Sequence, residues 1–516
     1  MKRYYLIVLF LFSLIILISF SSCIWWNNGE LKFKESIDHQ LIWEKHVGLS
    51  IASMNYNDFD GTYFYLAAED CLNDEAYVLK YDLDGNLKWK TNITESSLDP
   101  SQDNIRQVKK LGNLLYIISF YFSIPGNNYY LHIVDAESGQ YYGKYLLIDG
   151  GAYDGIAPDT DGNTNFVILS YDYSGNTYHQ LTIFCFDKES TTPVLLNSRV
   201  FDFEVVMNSY KCIYNGKMYI TSDYPKNAAL IVLDCEKLAD PSYTNEECII
   251  KIIEEQESND VWNWLGPTVI DNKIISSYLM RDDSGYHRDY RFACYDESKD
   301  YEKIWESPSD MTPEYGSSAP EAPLTYFNGK LIYPCFNYYV GCFDITNGKL
   351  IWFTDNSLYE DPSNDSLNNN YAMGVVMNNK WYIQPVYSIS AIIIYDITTG
   401  KKVGRIEDIY TGVGVRNPLW VVGNRIYVAT WTDYFYCFEI SERYRTEYFI
   451  IPLFIVISFI FYGGYKIRKG KKNKEKDREK SIKKGEEIKE NKDNRISFNE
   501  LYENKMDKDR IILKLI

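Results

Sequence analysis

Histidine is scarce in this 516-residue chain. The five copies, His39, His46, His132, His179 and His287, show no paired metal-ligand spacing such as H-E-x-x-H. There is no G-x-S-x-G nucleophile elbow, no glycine-rich phosphate loop and no C-x-x-C pair, so no familiar hydrolase, nucleotide-enzyme or thiol-redox signature is present. None of the ten cysteines is adjacent to another. Positive charge is also short: the net charge is −18, and it is uneven. Residues 466–516 carry +7, so residues 1–465 carry −25, an acidic balance that repels phosphates and argues against nucleic acid as a partner. Aromatic residues are plentiful instead, with 47 Tyr, 25 Phe and 11 Trp, and they suit half-exposed strand positions.

The segment from Ala322 to Phe353 reads as one four-stranded antiparallel blade. A strand at Leu324 to Phe327 meets the hairpin turn Asn328-Gly329, Lys330 to Cys335 returns, a third strand ends at Asp344, and Lys349 to Phe353 follows a second turn. In that second turn the Asp carboxylate can accept backbone N–H bonds. The unit recurs. Hairpin turns fall at Asp60-Gly61, Gly112-Asn113, Gly162-Asn163, Asn215-Gly216, Asp271-Asn272, Asn328-Gly329, Asn378-Asn379 and Gly423-Asn424. Each is followed by a third-strand acid, at Asp82, Asp135, Asp187, Asp234, Asp296, Asp344, Asp396 and Glu439, at intervals of 43 to 62 residues. That period belongs to propeller blades rather than to helical solenoids.

The eighth repeat lacks its fourth strand, and Leu41-Ile42-Trp43 near the N-terminus reproduces Leu350-Ile351-Trp352. The expected fold is therefore all-β: an eight-bladed propeller over residues 41–445, closed by an N-terminal strand at about 41–47, with a C-terminal transmembrane helix. The spacing of acid, turn glycine and tryptophan resembles the quinoprotein-type repeat, A-x-D-x-x-x-G-K-x-x-W. Asp344, Gly348, Lys349 and Trp352 fit its core; Asp396, Gly400 and Lys401 fit without the Trp; Asp135 with Gly139, and Asp82 with Gly85 and Trp89, fit more loosely. Trp43 and Trp305 occupy the same strand position, while repeats three to five have drifted.

The resemblance implies architecture, and the family contains both quinone-dependent dehydrogenases and a non-catalytic, BamB-like branch of outer-membrane assembly lipoproteins. The dehydrogenases seat their cofactor against a disulfide of adjacent cysteines, above a Trp floor, with Ca²⁺ held by acidic and amide side chains. No position here matches those ligands, so no catalytic, cofactor-binding or metal residue is assigned.

The ends carry membrane signals. Residues 1–22 have Lys2 and Arg3, an apolar run from Tyr4 to Phe20 and then small residues, the pattern of a signal peptide or signal anchor. Cys23 follows as in a bacterial lipobox, with Phe20 where Leu is usual, which makes it the candidate lipidation site. Residues 23–40 read as a linker. Residues 446–465 are uncharged apart from Glu447 and long enough to span a hydrocarbon layer of ~30 Å, and residues 466–516 form a basic tail. The positive-inside rule places that tail in the cytoplasm and the propeller outside it, in the periplasm or at the cell surface.

Cys185, Cys294, Cys342 and Cys437 each stand two residues before a repeat acid and read as small buried core residues. Two places remain open to a disulfide, between Cys335 and Cys342 and among Cys212, Cys235 and Cys248. Asp159-Thr160-Asp161-Gly162-Asn163 starts like a calcium loop but lacks the later acid, and reads as a hairpin turn. The widest repeat interval contains Trp262, Trp264, Tyr286, His287 and Arg288, a candidate binding rim, since insertions in a repeat array map to loops on one face. The functional expectation is a non-enzymatic, membrane-anchored extracytoplasmic scaffold with an envelope protein as partner and no cofactor. The alternatives are a quinone-dependent dehydrogenase-like enzyme and an envelope sensor that signals through the tail.

Overall fold

The computed structural model describes the strands and tight turns of residues 24–444 and a helix at residues 472–481. Residues 1–23, 445–471 and 482–516 lie outside the described residues, as do the connecting segments, the longest being 308–323 and 356–373. The chain divides into two units, Ser36–Glu442 and the two ends Met1–Glu35 with Arg443–Ile516.

Eight sheets fill the first unit, formed by residues 50–92, 103–148, 152–201, 212–254, 261–306, 325–355, 375–406 and, for the eighth, 420–444 with 35–46. In the first and fifth blades the first strand is broken in two. Ser50–Ile51 and Asp58–Phe59 both pair with Tyr63–Asp70, and Val261–Trp262 and Thr268–Ile270 both pair with Lys273–Arg281. In the eighth blade the order is Glu35–His46, Tyr434–Tyr444, Arg425–Ala429, Trp420–Val422, so a strand from the N-terminus takes the outermost place. The hairpin turns follow from residue chemistry. Asn215-Gly216, Asn328-Gly329 and Asn378-Asn379 all have positive φ at both positions, between 47° and 75°, which the right-handed twist of a two-residue hairpin requires and which Asn and Gly tolerate.

The inner strands Ala229–Asp234 (ALIVLD) and Ile392–Asp396 (IIIYD) are apolar up to their terminal Asp, because both faces are covered. Leu230 and Val232 pack toward the fifth blade, whereas Ile231 and Leu233 pack toward the third. Eight buried clusters result, each drawn from two neighbouring blades. One of them joins Phe64, Leu66 and Leu79 of the first blade to Trp420, Tyr427 and Phe435 of the eighth, so the array is a closed ring.

Four of the joints between blades share one contact. The indole of Trp305, in the fifth blade, lies on Gly348 in the turn of the sixth: a Cβ there would meet it at 2.4 Å. Trp352 covers Gly400 in the same way, Trp89 covers Gly139, and Trp43 of the N-terminal strand covers Gly85 of the first blade. Trp305 and Trp352 also donate Nε1–H to the carbonyls of Ile345 and Ile397, both at 2.7 Å. Where the repeat has drifted, other chemistry takes the position. Asn197, opposite Cys185 as Trp352 is opposite Cys342, donates to the Leu238 carbonyl at 2.9 Å. Two residues on, Arg199 is buried and donates to the carbonyls of Lys237, Leu238, Asp240 and Tyr243 and to Asn245 Oδ1. Those groups belong to two short helices, Cys235–Ala239 and Asn245–Cys248, and to the segment between them, which together replace the tight turn of the fourth blade. Guanidinium charge at the carbonyl end of a helix is favourable. At the next joint Lys251 pairs with Asp300 at 3.0 Å, and Asp300 takes the left-handed conformation (φ 56°) that glycine has in the other turns.

The described residues bear on three expectations in different ways. Within residues 23–40, expected as a linker, Ile24–Asn27 and Glu30–Phe33 pair as antiparallel strands, with Asn28-Gly29 between them in sequence, and the strand expected near 41–47 spans Glu35–His46. Cys335 lies outside the described residues, and Cys342, Cys212, Cys235 and Cys248 are free thiols. The expected signal segment, Cys23 and the apolar span 446–465 lie outside the described residues, and no helix among those described is long and apolar enough to cross a membrane.

Two variants read the joint directly. Trp305→Ala removes a buried indole and is expected to cost about 3–5 kcal/mol, seen as a lower melting temperature by circular dichroism. Gly348→Ala (φ +68°) and Gly61→Ala (φ +92°) both strain the backbone, but only Gly348 has an indole against it, so Gly348→Ala is expected to melt several degrees below Gly61→Ala; equal melting would refute the contact.

Candidate functional site

When the strands of a blade run consecutively, the first-to-second and third-to-fourth connections emerge at one end of the sheet, and all others emerge at the opposite end. The two rims of the ring are built differently. On the turn rim the two kinds of turn are tied to each other: Ile345 N–H donates to the Gly329 carbonyl at 2.9 Å, Ile397 to Asn379 at 3.1 Å and Ala136 to Asn113 at 2.9 Å.

All seven repeat aspartates lie on this turn rim. Asp344 Oδ1 accepts the Thr346 N–H at 2.7 Å, and Asp396 Oδ1 accepts the N–H groups of Thr398 and Thr399 at 3.1 and 2.8 Å. Asp135 Oδ1 holds Glu137 and Ser138 at 3.1 and 2.7 Å, while Asp187 accepts from Glu189 at 3.0 Å, Asp234 from Lys237 at 3.2 Å and Asp296 from Ser298 at 3.0 Å. Asp82 accepts from Asp84 and Asn86 at 3.0 and 2.8 Å and pairs with Lys88 at 2.6 Å. Burial works to raise the Asp82 carboxyl, but the Lys88 and Asn86 bonds outweigh it and hold the group at about 2. Asp60, in the first hairpin turn, is opposed by burial too and is likewise held at about 2 by Lys110, by the N–H groups of Tyr63 and Thr62 and by the Tyr65 hydroxyl. These carboxylates are engaged by their own turns and tie the backbone of the rim. Asp159-Thr160-Asp161-Gly162-Asn163 is a hairpin turn of the same kind, with Asp161 Oδ1 accepting from Asn163 and Thr164 at 2.8 and 2.7 Å.

The loop rim is uneven. The second and third strands reach nine residues in the second, third and fifth blades but four to six in the fourth, sixth and seventh. In the fifth blade the tall hairpin runs to the pair Arg281 and Arg288, and Val261–Trp262 pairs with Met280 and Leu279 beside it. Trp262 and Arg288 therefore share one end of one sheet. Trp264, Tyr286 and His287 lie outside the described residues. At the base of this hairpin Glu306 accepts from Arg291 at 2.8 Å and Lys303 at 2.7 Å. Burial works to raise its carboxyl, but the bonds from Lys303, Arg291 and Tyr278 outweigh that, and the group sits below the usual range.

One arrangement with the outline of a catalytic dyad escaped the sequence reading. Ser119 Oγ and His132 Nε2 are 2.7 Å apart, and Tyr141 Oη is 3.1 Å from Nδ1. Ser119 and His132 are only 4% and 3% exposed, in the blade interface, and burial with Lys144 nearby pushes the imidazole down to about 3, so it is neutral. The hydroxyl has no space for a substrate, and the chain of bonds satisfies polar groups inside the ring. Only its i, i+13 spacing across a hairpin marks it in the sequence. Among the described residues no three His, Cys, Asp or Glu groups converge to hold a metal. The thiols of Cys185, Cys294 and Cys342 are each pushed up to about 12 by burial, which leaves them unreactive.

No family model matches the chain, and no curated protein matches it. Solved structures similar to it include BamB from Moraxella catarrhalis (12% identity, 78% of this chain and 100% of that one, TM-score 0.49). A quinohemoprotein alcohol dehydrogenase from Comamonas testosteroni is another, at 13% identity over 78% of this chain and 76% of that one, with a TM-score of 0.48. Sqt1 from Saccharomyces cerevisiae matches 77% of this chain and 98% of its own at 8% identity and a TM-score of 0.48.

Acid stability tests the turn rim. Asp60 and Asp82 fall from the usual 3.8 to about 2 on folding, so the stability they contribute is complete above about pH 4 and is lost as pH falls toward 2. Asp82→Asn is expected to melt lower than the parent at pH 7 and to lose less of its melting temperature between pH 5 and pH 2.5. Parallel curves would overturn the assignment.

Proposed function

We propose that this chain is a non-enzymatic, membrane-anchored propeller that works outside the cytoplasm as a protein-binding scaffold. The observation that carries the reading is the division between the rims. The turn rim is occupied by its own hydrogen bonds, whereas the loop rim takes the longest connections, residues 308–323 and 356–373, and the tall hairpin of the fifth blade with Trp262 and Arg288. Partner contact is read onto that loop rim, because aromatic and arginine side chains anchor protein interfaces.

The strand Glu35–His46 is read as the clasp of the ring. The aromatic contacts His39 to Phe438, Trp43 to Phe435 and His46 to Tyr434 run in opposite chain directions. In the eighth blade the strand Glu35–His46 thus begins, and Tyr434–Tyr444 ends, where other blades have their second tight turn. An apolar run on each side of the propeller and a tail of +7 beyond the second support membrane anchoring, with the tail inside. Acylation at Cys23 remains part of the same reading.

A photoreactive phenylalanine in place of Trp262 is expected to give a discrete adduct with an envelope protein in intact cells, and the same residue in place of Asn113, on the turn rim, is not. Protease added to spheroplasts is expected to digest the propeller and spare the tail. Absence of an adduct, together with dye reduction by the purified chain supplied with a quinone cofactor and Ca²⁺, would replace the scaffold by an enzyme.

A further inference from the structure

We propose that the hairpin of residues 24–33 is a membrane-interface element whose apolar face lies at the boundary between lipid headgroups and acyl chains. The proposal rests on the reading that the chain is membrane-anchored, and it identifies a second, separate contact with the bilayer. The register pairs Ile24 with Phe33, Trp25 with Lys32, Trp26 with Leu31 and Asn27 with Glu30. Opposite residues share a face and successive pairs alternate, so the register places Ile24, Trp26, Leu31 and Phe33 on one face. Trp25, Asn27, Glu30 and Lys32 fall on the other. This separation is complete on the apolar side and charged on the polar side.

Among the described residues the sheet has these two strands only, and it falls outside the propeller unit. A two-stranded hairpin of four-residue strands is marginal in water, so an apolar face on it needs a cover. Connectivity supplies the cover. The hairpin starts directly after Cys23 and four residues after the apolar run that ends at Phe20, which is at most roughly 14 Å of extended chain. With that run retained as an anchor, or with Cys23 acylated, Ile24 starts within a few residues of the lipid; ordinary cleavage would leave the hairpin without that tether. Trp is the residue that favours the headgroup region, with its ring in the apolar boundary and its N–H in the wet layer. Glu30 and Lys32 on the opposite face suit the aqueous side.

Trp25 and Trp26 are the only tryptophans outside Ser36–Glu442, and residues 446–465 contain none, so fluorescence can test the face. The full chain is reconstituted in phosphatidylethanolamine and phosphatidylglycerol vesicles with or without brominated acyl chains, which quench indoles at short range, and flotation with the vesicles is measured in parallel. Trp26→Phe is expected to remove at least about half of the bromolipid quenching and Trp25→Phe much less, following their register faces. Leu31→Asp is expected to float with the vesicles yet lose the same quenching as Trp26→Phe. A parent chain that floats but shows unchanged quenching in Trp26→Phe overturns the hairpin assignment alone, and means that protein, such as a second copy of this chain, covers the face. A chain that does not float overturns the anchoring and the hairpin assignment together.

Discussion

A four-stranded sheet with two apolar faces cannot stand alone in water, and that constraint organises the ring. Burial of apolar surface is worth about 25 cal/mol per Å², and here it is available only where one blade meets the next. Runs such as Ile392–Asp396 give a strand nothing polar to turn outward, so each blade requires a neighbour on both sides, including the first and the last. A linear stack would leave two such faces bare. The cluster joining Phe64 to Phe435 shows that this chain leaves none.

Burial alone does not fix the angle or height at which blades meet, because apolar contact is not directional. The indole on glycine adds direction. A flat ring seated on a turn that lacks a Cβ defines separation, and where its N–H also meets a backbone carbonyl, as at Trp305 and Trp352, it defines rotation as well. The drifted joints are informative because they keep the function of the contact while changing its chemistry. Asn197 and Arg199 reach the carbonyls of a helical insertion, and Lys251 reaches Asp300. Asp300 also shows why glycine recurs elsewhere: the left-handed conformation is open to Asp, so glycine is needed chiefly where an indole must approach.

Much of this was legible in the sequence. Positive-φ turn residues, the repeat acids and the strand-four tryptophans are local chemistry at fixed offsets, and they mark blades without reference to anything distant. What was not legible depends on partners far away in sequence. Nothing near Arg199 indicates that it serves carbonyls some 40 residues later, and Ser119 with His132 reads as two unremarkable strand residues. The hairpin at 24–33 was missed for another reason. Its signal, apolar alternation around Asn28-Gly29, is as clear as that of any blade turn, but it belongs to no repeat, and a reading organised by period passes over it.

The same logic separates the rims. A residue on the turn rim answers to two demands at once, closing its own turn and receiving the neighbouring blade, so substitutions there act on the whole ring. The connections on the opposite rim answer to neither demand. Their lengths range from the three-residue gap between Ile148 and Ala152 to spans such as 308–323, with no change in how the sheets pack. Specificity can therefore be rebuilt on that side without disturbing the joints, whereas chemistry placed on the turn rim would compete with the hydrogen bonds that hold the blades in position.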